Sequence, residues 1–428
     1  MYKIFKFDNG LMLNYAKNDI NKSTAVEIGF DCGSRCDGDI PGLSHFCEHM
    51  FFTGTKTENK AEISKQYFDF IKVNAYTNTK EIFFTGEIFT AELKNYLSMV
   101  AKLITESTFN KKAVEDEKKV VIQEIVKDND KYSKKASQNF SYLLFEKDYY
   151  KNGVLGSTKS VNSIQSKDVK NYVKKYFVAN NCRVYISSPL SFSKVKKLVA
   201  TCLGDKLSQN TNLKKFDFDD YSTTETCKMN LKKVKVEKNY LNISFRLPHD
   251  KIELKDMSIV GMVCNIMQDI SDGVQKYLRL QNNLVYYADI YTYTCQKNKA
   301  LIFKTECSKE NIKACIDVFC EYISKLLKEG INKENLDKQK RHSRYYYETR
   351  IKKPAEYLND LLYYRRYNKI ITSSEDYKIY QSVKLEEVNK VLHQIFTNPT
   401  FVCSVYGDAD KEDVYTLNEL KEKFNKLI

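Results

Sequence analysis

Two stretches of this chain, about half its length apart, are built alike. Residues 168–177 (DVKNYVKKYF) space their apolar side chains as an amphipathic helix does. After Asn180-Asn181 an apolar strand follows at 182–186. Near the other end, residues 387–396 (EVNKVLHQIF) repeat the helix, and the segment after Asn398-Pro399 repeats the strand. An internal repeat of this length means that one folding unit has been used twice. The expected organisation is an N-terminal domain at 1–205, a polar linker at 206–230 and a related C-terminal domain at 231–428. Within them, strands are expected at 25–31, 82–88, 241–247 and 301–306. Helices are expected at 61–72, 91–105, 112–128, 257–270, 312–329 and 333–349. Strands clustered among helices, without regular βαβ alternation, give an α+β class.

Composition removes several alternatives. The 428 residues are 42% hydrophobic and 13% aromatic, with only 14 Gly and 5 Pro, so a disordered or collagen-like chain is excluded. No apolar run approaches the ~18 residues of a membrane-crossing helix, and no membrane partner is expected. The net charge of +14 comes from scattered lysine pairs such as Lys118-Lys119 and Lys232-Lys233, which reads as a solvated surface and not a nucleic-acid site. Residues 1–6 enter directly into a strand pattern with no leader-like segment, so a cytoplasmic location is expected. The 12 Cys include no CxxC pair and are expected to be reduced, mostly buried thiols.

Chemistry concentrates in His45-Phe46-Cys47-Glu48-His49, which uses two of only five histidines. On a helix, positions i and i+4 project from one face with i+3 beside them. Two imidazoles then point at one spot with a carboxylate next to them. A catalytic zinc needs this from one helix: two nitrogen ligands and an acid able to take a proton from water. The order H-x-x-E-H is that of an inverted zincin, and at this His content it would arise by chance in roughly 0.01 chains. A third ligand should come from another helix. Glu117 and Glu124 lie seven apart within 112–128, on one helical face. One of them can bind zinc while the other supports a histidine from behind. Periodicity alone does not separate such a pair from ordinary solvated glutamates.

The stretch from Asp39 to Thr55 (DIPGLSHFCEHMFFTGT) resembles the signature of the pitrilysin/insulinase family of zinc metallopeptidases, which includes mitochondrial processing peptidase. Asn9-Gly10, Val73-Asn74-Ala75-Tyr76-Thr77, the acidic helix and Leu155-Gly156-Ser157 agree with that family in order and spacing. The resemblance implies one Zn2+ per chain held by His45, His49 and Glu124, Glu48 as general base, and Glu117 behind a ligand. It also implies an exposed strand at Asn74 and Ala75 that binds substrate by backbone pairing. Cys47 stands where the family has an aliphatic residue and is expected in the core. Asp37-Gly38 also departs from the pattern, with no chemical consequence apparent in the sequence.

The second half has no H-x-x-E-H. It carries Arg279 and Tyr286, seven apart, resembling the family's distal pair that hydrogen-bonds the substrate carbonyl and backbone. A surface Arg and a packed Tyr at a helix-to-strand junction would look the same in sequence. The resemblance implies an endopeptidase for peptides or unfolded segments, built from two homologous domains as half of a clamshell. Because one chain carries both the zinc motif and the Arg/Tyr pair, a symmetric homodimer is expected; a heterodimer with a related chain is the other arrangement. The competing function is a non-catalytic scaffold or partner subunit.

Overall fold

The structure, a computed structural model, describes residues 1–19, 22–70, 72–213, 226–247, 253–295, 298–349, 353–367 and 370–427. Its contacts divide the chain into two units. The first is Met1–Lys131, Asp148–Phe216 and Ile351–Ile371; the second is Tyr132–Lys147, Asp217–Arg350 and Thr372–Ile428. The units are therefore not two successive stretches of chain: each includes a helix from the sequence of the other half. Of the expected linker, residues 214–225 lie outside the described residues.

The first unit is built on a six-stranded sheet. Its strands are β1 (Tyr2–Lys6), β2 (Met12–Lys17), β3 (Ser23–Phe30), β4 (Lys72–Thr77), β5 (Ile82–Phe89) and β6 (Cys182–Ser188), in the spatial order β1-β2-β6-β3-β5-β4. All pairings are antiparallel except β2 with β6. The second unit holds β7 (Lys228–Lys233), β8 (Asn239–Leu247), β9 (Ala288–Cys295), β10 (Asn298–Cys307) and β11 (Phe401–Gly407), in the order β7-β11-β8-β10-β9. Here again one pair, β7 with β11, is parallel and the rest antiparallel. In both sheets the last strand in sequence inserts between the first two of a shared five-strand core, so the duplication extends to topology. The fold is α+β.

Alternation along β3 sends Val26, Ile28 and Phe30 into the main core with the helices α1 (Leu43–Met50), α2 (Lys60–Phe68), α3 (Leu93–Glu106) and α4 (Lys111–Asn129). Ala25 points to the opposite face, where it joins Ala16, Tyr185, Leu358 and Leu361, the last two from helix Pro354–Tyr367. The second unit repeats this arrangement. Its main core gathers Ile243, Phe245, Phe303 and Phe319, while Tyr240 and Tyr406 meet Ala136 of α5 (Tyr132–Phe145) on the other face. In each unit the sheet face opposite the main core is thus covered by a helix distant in sequence.

Several expected helix bounds shift; the helix expected at 257–270 runs Leu254–Gln268. The helix expected at 61–72 ends at Phe68, and Lys72 opens β4 instead. Residues 72–77 alternate outward and inward, a period-two pattern too short to separate from the preceding helix by sequence. The helix expected from residue 91 begins at Leu93, after a tight turn at Thr90–Glu92.

Candidate metal centre

Helix α1 owes its orientation to its apolar spacing. Leu43, Phe46, Cys47 and Met50 fall at i, i+3, i+4 and i+7, and all are buried in the first unit's core. The opposite face carries His45, Glu48 and His49. Cys47 is a free thiol in the core, as expected. Upstream, both carboxylate oxygens of Asp37 accept backbone N–H bonds at the start of this helix: Gly42 N to Oδ2 at 2.7 Å and Ser44 N to Oδ1 at 2.8 Å. Burial outweighs these bonds and pushes the Asp37 carboxyl up to about 7. Gly42 itself has φ +91°, and a Cβ there would lie 2.5 Å from the Leu155 carbonyl oxygen. Gly156 faces it with φ +70° and the Pro41 carbonyl in the way of any Cβ. The Leu155-Gly156-Ser157 stretch and the Pro41-Gly42 stretch thus need glycine for one and the same close approach.

The second contributor is α4. Val114, Val121 and Ile125 bury one stripe of it, and Asn110 caps its start by accepting from Ala113 N. Glu117 and Glu124 flank that stripe and reach α1. The Glu124 Oε2 lies 3.7 Å from His45 Nε2 and 3.6 Å from His49 Nε2. One ligand atom from each of His45, His49 and Glu124 lies within 4.8 Å of the others. Glu117 Oε1 accepts from His49 Nδ1 at 3.0 Å, and its Oε2 accepts from Lys60 Nζ at 2.6 Å. The Glu117 side chain is only 6% exposed. Burial alone would raise its carboxyl, but His49 and Lys60 hold it below the usual range.

This donor set suits zinc. With Nδ1 of His49 engaged by Glu117, the nitrogen turned toward Glu124 is Nε2, and two imidazole nitrogens plus one carboxylate are a catalytic-zinc complement. The half-buried His49 would be depressed by burial alone, yet the surrounding Glu117, Glu124 and Glu48 carboxylates bring it up to about 9. Glu48, beside the ligands, has its carboxyl raised by burial. Its Oε2 accepts from Thr77 Oγ1 at 2.5 Å.

Asn74 and Ala75 lie on β4, the outermost strand of its sheet. The Asn74 carbonyl accepts from the Tyr67 hydroxyl at 2.8 Å. Arg279 and Tyr286 belong to the second unit and meet each other: the guanidinium carbon is 4.7 Å from the Tyr286 ring centroid, and Tyr286 is 78% exposed. Arg279 sits in a π-helical turn at Lys276–Gln281, which ends with Asn283 at φ +52° and Leu284 N bonding Leu278 O.

Three contributors escape the sequence reading. Neither Thr77 nor Asp37 has a spacing from the His45–His49 motif that marks it in the sequence. Lys60 carries no signal, because its tie to Glu117 exists only in space.

Fold and site together define a two-unit α+β chain with a candidate metal cluster of two histidines and a glutamate, and the comparisons with known proteins give the family. Residues 14–158 match the model described as insulinase (peptidase family M16), and residues 163–342 match the peptidase M16 inactive domain. The chain belongs to the M16 (insulinase) family. It is 24% identical over 415 residues to the uncharacterised zinc protease YmxG of Bacillus subtilis, covering 93% of this chain and 96% of the relative. It is 24% identical over 198 residues to the beta subunit of human mitochondrial-processing peptidase, covering 46% of this chain and 40% of that one. Among solved structures, the peptidase M16 inactive domain from Pseudomonas fluorescens aligns with TM-score 0.83 at 15% identity, covering 96% of this chain and 98% of that one. A protease from Helicobacter pylori aligns with TM-score 0.80 at 16% identity, covering 95% and 99%. Among the described residues, no helix is long and apolar enough to cross a membrane.

Proposed function

We propose that this protein is a zinc-dependent endopeptidase that hydrolyses peptides or unfolded polypeptide segments. One observation carries the reading: His45, His49 and Glu124 bring their ligand atoms within 4.8 Å of one another, beside Glu48 on the same helix. His45, His49 and Glu124 would hold the metal, and Glu117 would fix the His49 ring through Nδ1. When bound there, zinc would supply a Lewis acid and lower the pKa of water at the site.

The protein's own groups do the rest. Glu48 takes the proton of the attacking water and returns it to the leaving amine. Thr77 donates to Oε2 of Glu48 and so fixes the orientation of the carboxylate. The open edge of β4 at Asn74 and Ala75 receives the substrate as an added strand. Arg279 and Tyr286 donate hydrogen bonds to the substrate carbonyl and backbone. In a symmetric homodimer each site takes its zinc ligands from one subunit and its Arg279/Tyr286 pair from the partner.

The other reading is a non-catalytic partner subunit, in keeping with the second half's match to a domain described as inactive. The complete His45/His49/Glu124 set with its base weighs against it. Metal analysis and cleavage of an unstructured peptide library distinguish the two. The peptidase reading expects about one zinc per chain, activity lost on chelation and regained with zinc. Zinc-loaded protein that cuts no peptide, alone or concentrated, contradicts it.

A further inference from the structure

A cavity of about 700 Å³ lies in the first unit between the C-terminal end of α2, the end of β5 and the start of α3. Among its described lining residues only Lys72 belongs to β4, so the hollow sits on the flank of the sheet, apart from the strand edge. Its volume falls in the range of small-molecule sites. Phe70, Phe89 and Met99 supply an apolar wall. Met99 is anchored in the core at 6% exposure, whereas the Phe89 ring is 64% exposed. A solvated phenylalanine ring beside an unfilled hollow is apolar area that an occupant would take out of water.

The polar lining is acidic. Asp69, Glu87 and Glu92 stand against one lysine, Lys72, whose Nζ lies 3.4 Å from Glu87 Oε2. Glu92 Oε2 accepts from the neutral Asn95 side chain at 2.7 Å. Among the described residues no lysine or arginine pairs with Asp69 or Glu92, so two carboxylates at the cavity carry no counter-charge. The chain as a whole has a net charge of +14, which makes this a local reversal of sign. Rings and carboxylates together suit one ligand chemistry. The rings cover an apolar body and attract an ammonium group to their faces, and the carboxylates pair with that ammonium. We propose that this cavity binds a small organic amine: an aromatic or branched apolar body carrying a protonated amino group on a short arm. The body lies against Phe70, Phe89 and Met99, and the ammonium reaches Asp69 or Glu92. The same two carboxylates reject an anion of equal shape. The site needs neither the metal nor the peptidase reading.

The test uses the full chain and three dyes that share a dansyl body and an arm of about five carbons. The arm ends in an ammonium (dansylcadaverine), a methyl or a carboxylate. Binding is read from the rise and blue shift of dansyl emission as protein is added at low salt. The ammonium dye should bind with a Kd on the order of 10–100 µM, the strength a ligand of its size reaches. It should bind about threefold tighter than the methyl dye and about tenfold or more tighter than the carboxylate dye. Asp69→Asn combined with Glu92→Gln should bring the three dyes within about twofold of one another and leave the methyl dye unchanged. Asn95→Trp, which fills the cavity from an exposed position on α3, should weaken all three about tenfold, and Phe89→Ser should weaken them in part. Thermal melting of each variant checks that the fold is kept. Equal binding of the ammonium and carboxylate dyes overturns the proposal. So does an ammonium preference that the double variant leaves intact, or dye binding that Asn95→Trp leaves intact. The titrations should give the same affinities with and without zinc, so the two readings fail separately. A dye preference without cleavage of any peptide leaves the amine site and removes the peptidase; peptide cleavage without a dye preference does the reverse.

Discussion

Glu117 meets His49 on the side away from Glu124: Oε1 accepts from Nδ1 at 3.0 Å, while Lys60 holds the other oxygen at 2.6 Å. The carboxylate is nearly buried, so it needs both partners to stay charged. Lys60, Glu117, His49 and Glu124 thus form one chain of charge from the surface to the site.

That chain makes a prediction about metal affinity. Glu117→Gln should weaken zinc binding about 10- to 100-fold, measured by competition with a zinc-chelating dye. Lys60→Met should weaken it less, and Lys60→Arg should restore it, because the guanidinium can also reach the carboxylate. Equal affinities across the series would show that His49 needs no support from behind.

Asp37 makes a prediction about pH. Its carboxyl is raised by burial to about 7, against ~4 in an unfolded chain. An acid raised in the folded state binds its proton more tightly there, so folding takes up a proton between those values. The stability it contributes therefore falls as pH rises from ~4 to ~7 and is level above. Asp37→Asn cannot titrate. Comparing urea midpoints at pH 5 and pH 8, the wild type should gain on Asp37→Asn at pH 5 by an amount on the order of a few kcal/mol. The same difference at both pH values would mean that the two N–H bonds from Gly42 and Ser44 dominate after all.

Much of this site is legible in the sequence, for a local reason. His45, Glu48 and His49 lie on one turn of one helix, and helical spacing fixes their shared face before any fold is known. Glu117 and Glu124 share a face for the same reason, but which of them meets the ligands depends on how α4 packs against α1. The ties of Thr77 to Glu48 and of Lys60 to Glu117 join different elements and have no spacing to betray them. The fold divides in the same way. The repeated helix and strand at 168–186 and 387–406 are visible as pattern: helices Ser166–Tyr176 and Leu385–Phe396 each precede the strand, β6 or β11, that inserts into its sheet. The assignment of α5 to the second unit and of Pro354–Tyr367 to the first is not visible, because each helix's apolar face looks the same whichever sheet it covers.

The exposed Tyr286, stacked on Arg279, makes a prediction about assembly. If the pair serves the partner's zinc site, Glu48→Gln and Tyr286→Phe chains should each be impaired alone. An equal mixture should regain about a quarter of wild-type activity, since half the dimers are mixed and each has one intact site of two. No recovery, with subunit exchange demonstrated, would remove the homodimer and leave a different partner chain as the source of the pair.

Under the proposed function, holding the metal and moving the proton fall to different residues of one cluster. Zinc content and peptide hydrolysis should therefore be measured side by side for Glu48→Gln and Glu124→Gln. Glu48→Gln should keep about one zinc per chain and lose turnover by roughly 10²- to 10⁴-fold, the usual worth of a general base. Glu124→Gln should lose zinc and, with it, activity. Appreciable hydrolysis by zinc-replete Glu48→Gln protein, or full zinc retention by Glu124→Gln, would contradict that division of roles.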